Sequence, residues 1–161
     1  MHIELDDLTR PQVHALLEEH LSHMHALSPP EQVFALDLNK LRAPGITFWT
    51  VWDAGLLLGC GALKELTAEH GEVKSMRTPK ALRGRGAGHA VMARIVAVAK
   101  ERGYNTLSLE TGSHADFEPA QKLYQSFGFV NSGPFGSYPA NPHSVFMALS
   151  LGTPTTPQQA S

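Results

Sequence analysis

The chain has 161 residues, of which 42% are hydrophobic and 17% are charged, with 13 basic against 15 acidic residues and a formal net charge of −2. This length fits one domain with a sizeable hydrophobic core, and the composition is that of an ordinary globular protein. The near balance of charge excludes the broad basic surface that nucleic acids or anionic membranes require. A small-molecule partner is therefore favoured.

The cysteine content and the first residues bear on the compartment. Cys60 is the only cysteine, so no intrachain disulfide can form, which fits a reducing compartment. Residues 1–9 carry acidic side chains where a signal peptide would have a basic start and an apolar core. The longest uncharged apolar stretch, Ala54–Leu63, is half the length of a membrane span and is interrupted by glycines. We expect a cytoplasmic protein without a membrane segment.

The N-terminal part of the sequence predicts a strand, two helices and a β-hairpin. Residues 3–8 are typical of a short opening strand, and Gln12–Ala26 carries apolar residues at helical spacing. A second short helix is expected over Gln32–Leu41. Ile46–Trp52 and Leu56–Leu66, rich in β-branched, aromatic and apolar residues, predict two strands joined by a turn.

The C-terminal part predicts a strand–helix–strand unit followed by a helix and a last strand. Alternation predicts a strand over Glu72–Thr78, after a polar turn at residues 69–71. The further expected elements are a helix at Ala87–Arg102, a strand at Thr106–Glu110, a helix at Phe117–Phe127 and a strand at Val145–Leu149. A sheet built from this order is expected to be mixed.

The most informative segment is the glycine-rich sequence RGRGAG at residues 83–88, directly before a predicted helix. Its glycines let backbone N–H groups approach an anion closely, and phosphate is the natural ligand at a helix N-terminus. A Walker loop would end in Gly-Lys-Ser/Thr, whereas this loop ends in Gly88-His89-Ala90. A dinucleotide-binding loop needs a different glycine spacing. The alternative interpretation of this segment is a glycine-rich turn that has no functional role.

The pattern R-x-x-G-x-G, formed by Arg83, Gly86 and Gly88, resembles the signature of the GNAT superfamily of acyl-CoA-dependent N-acetyltransferases. The resemblance extends over Glu72–Phe129 and includes the strand LSLET at residues 107–111. The chain is further similar to the subgroup often described as indole-acetate acetyltransferases. The segments that carry this further similarity are Glu72–Thr78, Leu109–Gly112 and Pro134-Phe135.

The resemblance implies a single-domain α/β fold of the α+β type, with a central mixed, mostly antiparallel sheet of about six to seven strands flanked by about four helices. We expect this domain over residues 1–151 and a flexible tail over residues 152–161. The implied activity is transfer of an acetyl group from acetyl-CoA to the amine of a small molecule in one ternary complex.

Two other functions and one assembly state stay open at this point. The chain is alternatively a non-catalytic module that binds or senses acyl-CoA, or an acetyltransferase acting on protein lysines or N-termini. The latter predicts an acidic groove, and the sequence has no continuous acidic run to form one. Members of the superfamily often form homodimers, so a homodimer is also a prediction.

The resemblance implies that the backbone N–H groups of residues 85–89 hold the CoA pyrophosphate at the N-terminus of the helix. It also implies that Met76 and Thr78, at the end of the preceding strand, pair with the pantetheine arm through their backbone. The cofactor-binding residues implied in this way are Met76, Arg77, Thr78, Arg83, Gly84, Arg85, Gly86, Ala87, Gly88 and His89.

Three residues are candidates for the chemistry. Tyr124 occupies the family position whose phenol protonates the departing CoA thiolate, and the alternative is that its ring only packs in the core. Glu72 is the first candidate for the general base that removes the proton of the amine, directly or through a water. The alternative for Glu72 is a solvated carboxylate at a strand end. Glu110 is the second candidate base.

The acceptor side is less defined by sequence. Strand alternation places Glu72, Lys74 and Met76 on one face and the intervening residues, with Arg77, on the other. Lys74 or Arg77 in the pocket would suit an acceptor that carries a carboxylate. The aromatic residues of the segment 135–143 either cover the acceptor or belong to a packed turn. The candidate substrate-binding residues are Lys74, Thr111, Phe135 and Tyr138.

Two further features predict no chemistry. Cys60 has neither a histidine nor an acid beside it in the sequence, so we expect a buried structural cysteine. His20, His23 and His25 lie on one predicted helix, but their spacing does not bring all three to one face as a metal site requires. We expect no metal ion.

Overall fold

The computed structural model of the chain describes residues 1–27, 38–136 and 138–152. These residues form strands, α-helices and two short 3-10 turns at Lys80–Leu82 and Ala115–Phe117. The strands are β1 (His2–Leu5), β2 (Ile46–Asp53), β3 (Leu56–Thr67), β4 (His70–Arg77), β5 (Thr106–Gly112), β6 (Val130–Ser132) and β7 (Ser144–Ser150). The helices are α1 (Pro11–Leu27), α2 (Leu38–Leu41), α3 (Ala87–Glu101) and α4 (Glu118–Ser126).

The strands form one seven-stranded sheet in the order β1-β2-β3-β4-β5-β7-β6. Strands β1 and β2, β2 and β3, β5 and β7, and β6 and β7 pair antiparallel, whereas β4 and β5 pair parallel. A parallel pair needs a long crossover connection, and α3 supplies it between β4 and β5. The predicted mixed, mostly antiparallel sheet is confirmed.

Contacts within the chain divide it into two compact units. The first comprises residues 1–64 and 73–95, and the second comprises residues 65–72 and 96–161. The unit boundary falls inside β4, so that His70, Gly71 and Glu72 belong to the second unit and the rest of the strand belongs to the first.

The core of the first unit joins α1 to the N-terminal strands. Val13, Leu16 and Leu17, spaced for one helical face, are each at most 3% exposed and cluster with Phe48 and Trp52 of β2. Pro11 opens the helix, where its missing N–H costs no intrahelical hydrogen bond. Burial of this apolar face, rather than helix propensity, is what holds α1 in place.

The core of the second unit is formed on β5 and β7. Leu107, Leu109 and Met147 are at most 2% exposed, in keeping with strands covered by other elements. Gly112 ends β5 where a Cβ would lie 2.2 Å from the ring of Phe117, so this position admits only glycine without displacing the ring. The start of α4 thereby packs directly on the end of β5.

The predicted elements agree with the structure in type, three of their ends differ by two residues or more, and one strand was not predicted. The first strand ends at Leu5, because Leu8 has a left-handed backbone (φ 66°). Strand β4 begins at His70, so the predicted turn at residues 69–71 was wrong. Strand β5 continues two residues beyond Glu110. The fourth difference is strand β6, which the sequence did not predict.

Two predictions fall wholly or partly outside the described residues. Helix α2 is the described end of the helix expected over Gln32–Leu41, whose residues 32–37 lie outside the described part. Of the tail expected over residues 152–161, residues 153–161 lie outside it as well. None of the described helices is long and apolar enough to cross a lipid bilayer.

Candidate active site

The loop before α3 has the geometry of an anion-binding site. Gly84 (φ 85°) and Gly86 (φ 83°) adopt left-handed backbone conformations that side-chain-bearing residues rarely adopt. The amide of Ala90 donates to the carbonyl of Gly86 at 3.0 Å and closes the first turn of α3. The amides of Ala87 and Gly88 precede that bond and, like the first amides of any helix, point out of the helix end. Together with the helix dipole they favour a phosphate group.

Two glycines of β3 bring the same helix close to the sheet. A Cβ at Gly61 would lie 2.5 Å from Sδ of Met76 and 2.5 Å from Cγ1 of Val91, both closer than real contacts allow. A Cβ at Gly59 would lie 3.2 Å from the carbonyl oxygen of Arg77. The start of α3 can approach β3 this closely because these two positions of β3 carry no side chain. The glycines and the helix were both predicted from the sequence, but their contact with each other was not.

The end of β4 departs from regular strand geometry. Ser75 has a left-handed backbone (φ 54°), and its carbonyl accepts a hydrogen bond from Sγ of Cys60 at 3.3 Å. A strand residue in this conformation breaks the alternation of side chains. The predicted assignment of Met76 to the same face as Glu72, and of Arg77 to the opposite face, assumed regular alternation past Ser75 and stays a prediction.

Cys60 is buried, and burial raises the pKa of its thiol to about 12. A thiol with this pKa stays protonated at neutral pH, so it is not a nucleophile. The structure thus agrees with a structural cysteine that donates to the Ser75 carbonyl.

Arg77 is held by α1. Its side chain is 7% exposed and its Nη2 donates to Oε1 of Glu19 at 2.9 Å, while the amide of Lys80 donates to the same oxygen at 3.2 Å. Burial acts to raise the pKa of Glu19, but these two donors outweigh it and hold the pKa below its ordinary value. An acceptor carboxylate would have to displace Glu19 to reach Arg77.

Glu72 lies inside the second unit rather than at an exposed strand end. It is 3% exposed, and its register partner across the parallel β4–β5 ladder is Ser108, which is also 3% exposed. The hydroxyl of Tyr138 donates to Oε2 of Glu72 at 2.9 Å. The alternative that Glu72 is a solvated carboxylate was therefore wrong, because β4 begins two residues earlier than expected and places it in the ladder.

The tyrosine that contacts this carboxylate belongs to a cluster of aromatic rings. The ring centroid of Tyr138 lies 5.2 Å from that of Phe135 and 6.5 Å from that of Phe146 on β7. His70, two residues before Glu72 on β4, packs edge-on against Phe135, and its Nε2 is 2.7 Å from Oγ of Ser108. Of the predicted acceptor-binding residues, Tyr138 thus contacts the predicted base, and Phe135 packs against Tyr138.

Glu110 and Thr111 are placed differently. Glu110 is exposed and accepts a hydrogen bond from Oγ of Ser144 at 2.5 Å. Its register partner is Phe146, so it lies on the same side of the sheet as the ring cluster. Thr111 is the next residue of a regular strand and faces the other side. The structure therefore does not bring Thr111 together with Glu72 and Tyr138.

Tyr124 lies on α4, 6% exposed, with its ring edge-on to Phe129 at 6.1 Å. Burial raises the pKa of its phenol to about 12, so the phenol stays protonated at neutral pH. Within the described part of the chain its hydroxyl has no hydrogen-bond partner. The Tyr124 ring therefore packs in the core, which was the structural interpretation of this residue. Its phenol also keeps a proton that it can donate, which the catalytic interpretation requires.

The remaining candidate residues differ in how exposed they are. Lys74, Met76 and Thr78 are half-buried, and Arg83 and Arg85 are exposed. The side chains of His20, His23 and His25 are outside the described set. Among the described residues no group of three His, Cys, Asp or Glu side chains could hold a metal ion.

Comparison with known proteins identifies the family. A sequence model described as the acetyltransferase (GNAT) family matches residues 11–129. The chain belongs to this family of acetyltransferases. It is 54% identical over 151 residues to the uncharacterised N-acetyltransferase YsnE of Bacillus subtilis, covering 94% of this chain and 100% of that protein. It is 37% identical to a protein of Azospirillum brasilense named IAA acetyltransferase, covering 84% of this chain and 88% of that protein.

Solved structures confirm the GNAT fold. A Klebsiella pneumoniae protein provisionally named an acyl-CoA N-acyltransferase superimposes with a TM-score of 0.74 at 27% identity, covering 94% of this chain and 97% of that chain. YncA of Salmonella typhimurium, crystallised with its cofactor acetyl-CoA, has a TM-score of 0.72 at 15% identity, covering 98% and 97%. The predicted fold class and the predicted class of enzyme are confirmed.

Proposed function

We propose that this GNAT acetyltransferase transfers the acetyl group of acetyl-CoA directly to the amine of a small molecule. The observation that carries the proposal is the start of α3, where left-handed Gly84 and Gly86 expose backbone amides that suit the CoA pyrophosphate. Met76 and Thr78 are proposed to pair with the pantetheine arm through their backbone. Acetyl-CoA is the cofactor of the structural relative YncA, and this supports the same cosubstrate here.

The proposed chemistry needs a base, because an ammonium ion has no lone pair with which to attack a thioester. Glu72 is proposed to take that proton, directly or through a water, and its burial supports this role because a desolvated carboxylate is less strongly screened. The amine nitrogen then bonds to the thioester carbon, loses its second proton to the solvent, and the carbon–sulfur bond breaks. Glu110, exposed and bonded to Ser144, is the weaker candidate.

Tyr124 is proposed to act on the leaving group. A thiol has an ordinary pKa of about 8.5, well below the value of about 12 that burial gives this phenol. The phenol therefore stabilises the departing thiolate by donating a hydrogen bond, rather than by giving up its proton completely. The phenol keeps its proton throughout, and the thiolate takes its proton from the solvent.

The ring cluster supports a small acceptor with an apolar body next to its amine. Tyr138 contacts Glu72 and packs against Phe135, and both rings are proposed to contact the acceptor. Lys74 remains a proposed contact, whereas the pairing of Arg77 with Glu19 does not favour an acceptor bound through its carboxylate. A homodimer and a cytoplasmic location also stay predictions.

The experiment measures CoA release from acetyl-CoA with a thiol reagent, in the presence of tryptamine, phenethylamine, spermidine, lysine, indole-3-acetate or a lysine-containing peptide. We expect turnover with at least one free small amine and none with the peptide. Turnover with the peptide alone would establish a protein acetyltransferase instead.

The Tyr124→Phe variant separates catalysis from binding. We expect it to lower kcat about tenfold while the Kd of acetyl-CoA stays unchanged. Tyr104→Phe is the matched control, since Tyr104 is equally buried in the same unit and bonds to Glu65. Acetyl-CoA binding without turnover on any of these compounds would instead favour a sensing module.

A further inference from the structure

The bond between Tyr138 and Glu72 joins two residues that lie 66 positions apart in the sequence. The strand backbone fixes the Cα of Glu72, but a glutamate side chain keeps several rotatable bonds, so the carboxylate needs a further contact to hold one position. The hydroxyl of Tyr138, 2.9 Å from Oε2, provides that contact. A hydrogen bond to an ionised acceptor is stronger than one between neutral groups.

The hydroxyl is itself held in place by rings. Tyr138 packs edge-on against Phe135 and is tilted against Phe146, and its amide donates to the Phe135 carbonyl at 3.2 Å. Phe146 is a buried residue of β7, paired in register with Glu110 on β5. The phenol therefore reaches Glu72 from a rigid support rather than from a free loop side chain.

The phenol acts as a donor at every relevant pH. Burial, and then the negative charge of Glu72, raise the pKa of Tyr138 well above its ordinary value. A phenol with so high a pKa does not exchange its proton with the reacting amine or the thiolate. It can only donate a hydrogen bond, and that bond favours the ionised form of the carboxylate that accepts it.

We propose that Tyr138 is the positioning residue of the base: its hydroxyl fixes the Glu72 carboxylate in one orientation and stabilises the ionised form that accepts the proton of the amine. This inference rests on the proposed role of Glu72. The Tyr138 hydroxyl is then not a catalytic group, and its contribution appears in the pH profile of kcat/KM.

Other groups near Glu72 also titrate or carry charge, and the experiment has to separate them. Strand β4 itself carries His70 and Lys74 at the alternate positions, β5 carries Glu110, and the loop carries Tyr138. The Nε2 of His70 lies 2.7 Å from Oγ of Ser108, the register partner of Glu72. A His70→Gln variant therefore identifies any step in a pH profile that belongs to the histidine.

The test uses Tyr138→Phe, which removes one oxygen and keeps the ring packing. The matched control is Tyr104→Phe, because the Tyr104 hydroxyl also donates to a glutamate of the same unit, Oε1 of Glu65, at 2.8 Å. The readouts are the pH profile of kcat/KM and the separate values of kcat and the KM of the amine.

With acetyl-CoA and the fastest amine of the panel, we expect Tyr138→Phe to move the acid limb of kcat/KM upward by roughly one pH unit and Tyr104→Phe to leave it in place. A shift of one unit appears as about tenfold lower kcat/KM at any pH on that limb. The KM of the amine stays within about twofold, because Tyr138→Phe keeps the ring that is proposed to contact the acceptor.

Two outcomes overturn the inference, and they differ from each other. If Glu72→Gln is inactive while Tyr138→Phe turns over like Tyr104→Phe across the pH profile, the positioning role fails and the proposed base stands. If Glu72→Gln turns over at the wild-type rate, the proposed base fails and the positioning role fails with it.

Discussion

The start of α3 in the first unit and the cluster around Glu72 in the second unit are built in opposite ways. The first offers backbone amides and is made possible by residues without side chains, chiefly Gly84 and Gly86. The second offers side chains alone, with Glu72 and Tyr138 contributed by a strand and a distant loop. A phosphate group is the same in every CoA, so a backbone site suits it, whereas an acceptor is distinguished by side chains.

Removing the carboxylate of the second region is expected to have the largest effect. Glu72→Gln keeps the size of the side chain but cannot take a proton, so kcat is expected to fall roughly 1000-fold, within the usual range for general base catalysis. The Kd of acetyl-CoA should not change. Glu65→Gln, which alters the other tyrosine-bonded glutamate of this unit, should turn over normally. Wild-type turnover by Glu72→Gln would contradict the role of this carboxylate.

A charge placed in the first region is expected to affect binding instead. Gly86→Asp puts a carboxylate among the amides that suit the pyrophosphate, and we expect the Kd of acetyl-CoA to rise roughly 100-fold by calorimetry. Gly55→Asp is the matched control, because Gly55 has a similar backbone (φ 79°) and equally open surroundings in a hairpin turn. If both variants lost affinity for acetyl-CoA equally, the loss would be caused by backbone strain and not by the charge at the anion site.

The support of the first region can be tested through stability. Gly61→Ala forces a methyl group to within 2.5 Å of Met76 and Val91, and overpacking of this kind costs about 2 kcal/mol. The Tm should fall by about 5 °C. Gly133→Ala, at a position with nothing within 4 Å and no left-handed backbone, should stay within about 1 °C. An unchanged Tm for Gly61→Ala would show that α3 can move away from β3 at little cost.

The smallest expected effect concerns an acidic residue of the first unit that is not deeply buried. Glu19 is 37% exposed in its pair with Arg77, so solvent screening limits the stabilisation to about 0.5 kcal/mol. Because the pKa of Glu19 lies below its ordinary value, this stabilisation is present above the unfolded-state pKa and is lost as the pH falls through the folded-state pKa.

Urea unfolding of Glu19→Gln and of the wild-type chain tests this sign. The free energies of unfolding should differ at pH 7 and converge near pH 3. Glu18→Gln, on the exposed neighbouring position of α1, should match the wild type throughout. A difference that grows on acidification would contradict the direction of the shift.

Local patterns of the sequence were enough to predict the first region. Glycine spacing before an apolar helical stripe specifies a loop and a helix start without reference to the rest of the chain. The same locality explains why β6 was missed. Its three residues, Val130–Ser132, are all exposed and carry no alternation, and only pairing with β7 makes them a strand.

The second region depends on contacts between distant residues, so the sequence identified its members but not their arrangement. Glu72 was a candidate base, yet its burial follows from the parallel register with Ser108 on β5. Tyr138 was a candidate acceptor contact, yet its bond to Glu72 joins a loop to a strand. The left-handed Ser75 had no signal in the sequence either, since serine rarely adopts this conformation.

The burial of Cys60 has a practical consequence for kinetics and for folding. As the chain's only thiol, 1% exposed and protonated at neutral pH, it reacts slowly with a disulfide reagent, so the absorbance that reports released CoA has little protein background. In denaturant, each opening of the sheet exposes this one thiol to the same reagent. The rate at which Cys60 reacts in denaturant therefore reports how often β3 and β4 separate, and no engineered probe is needed.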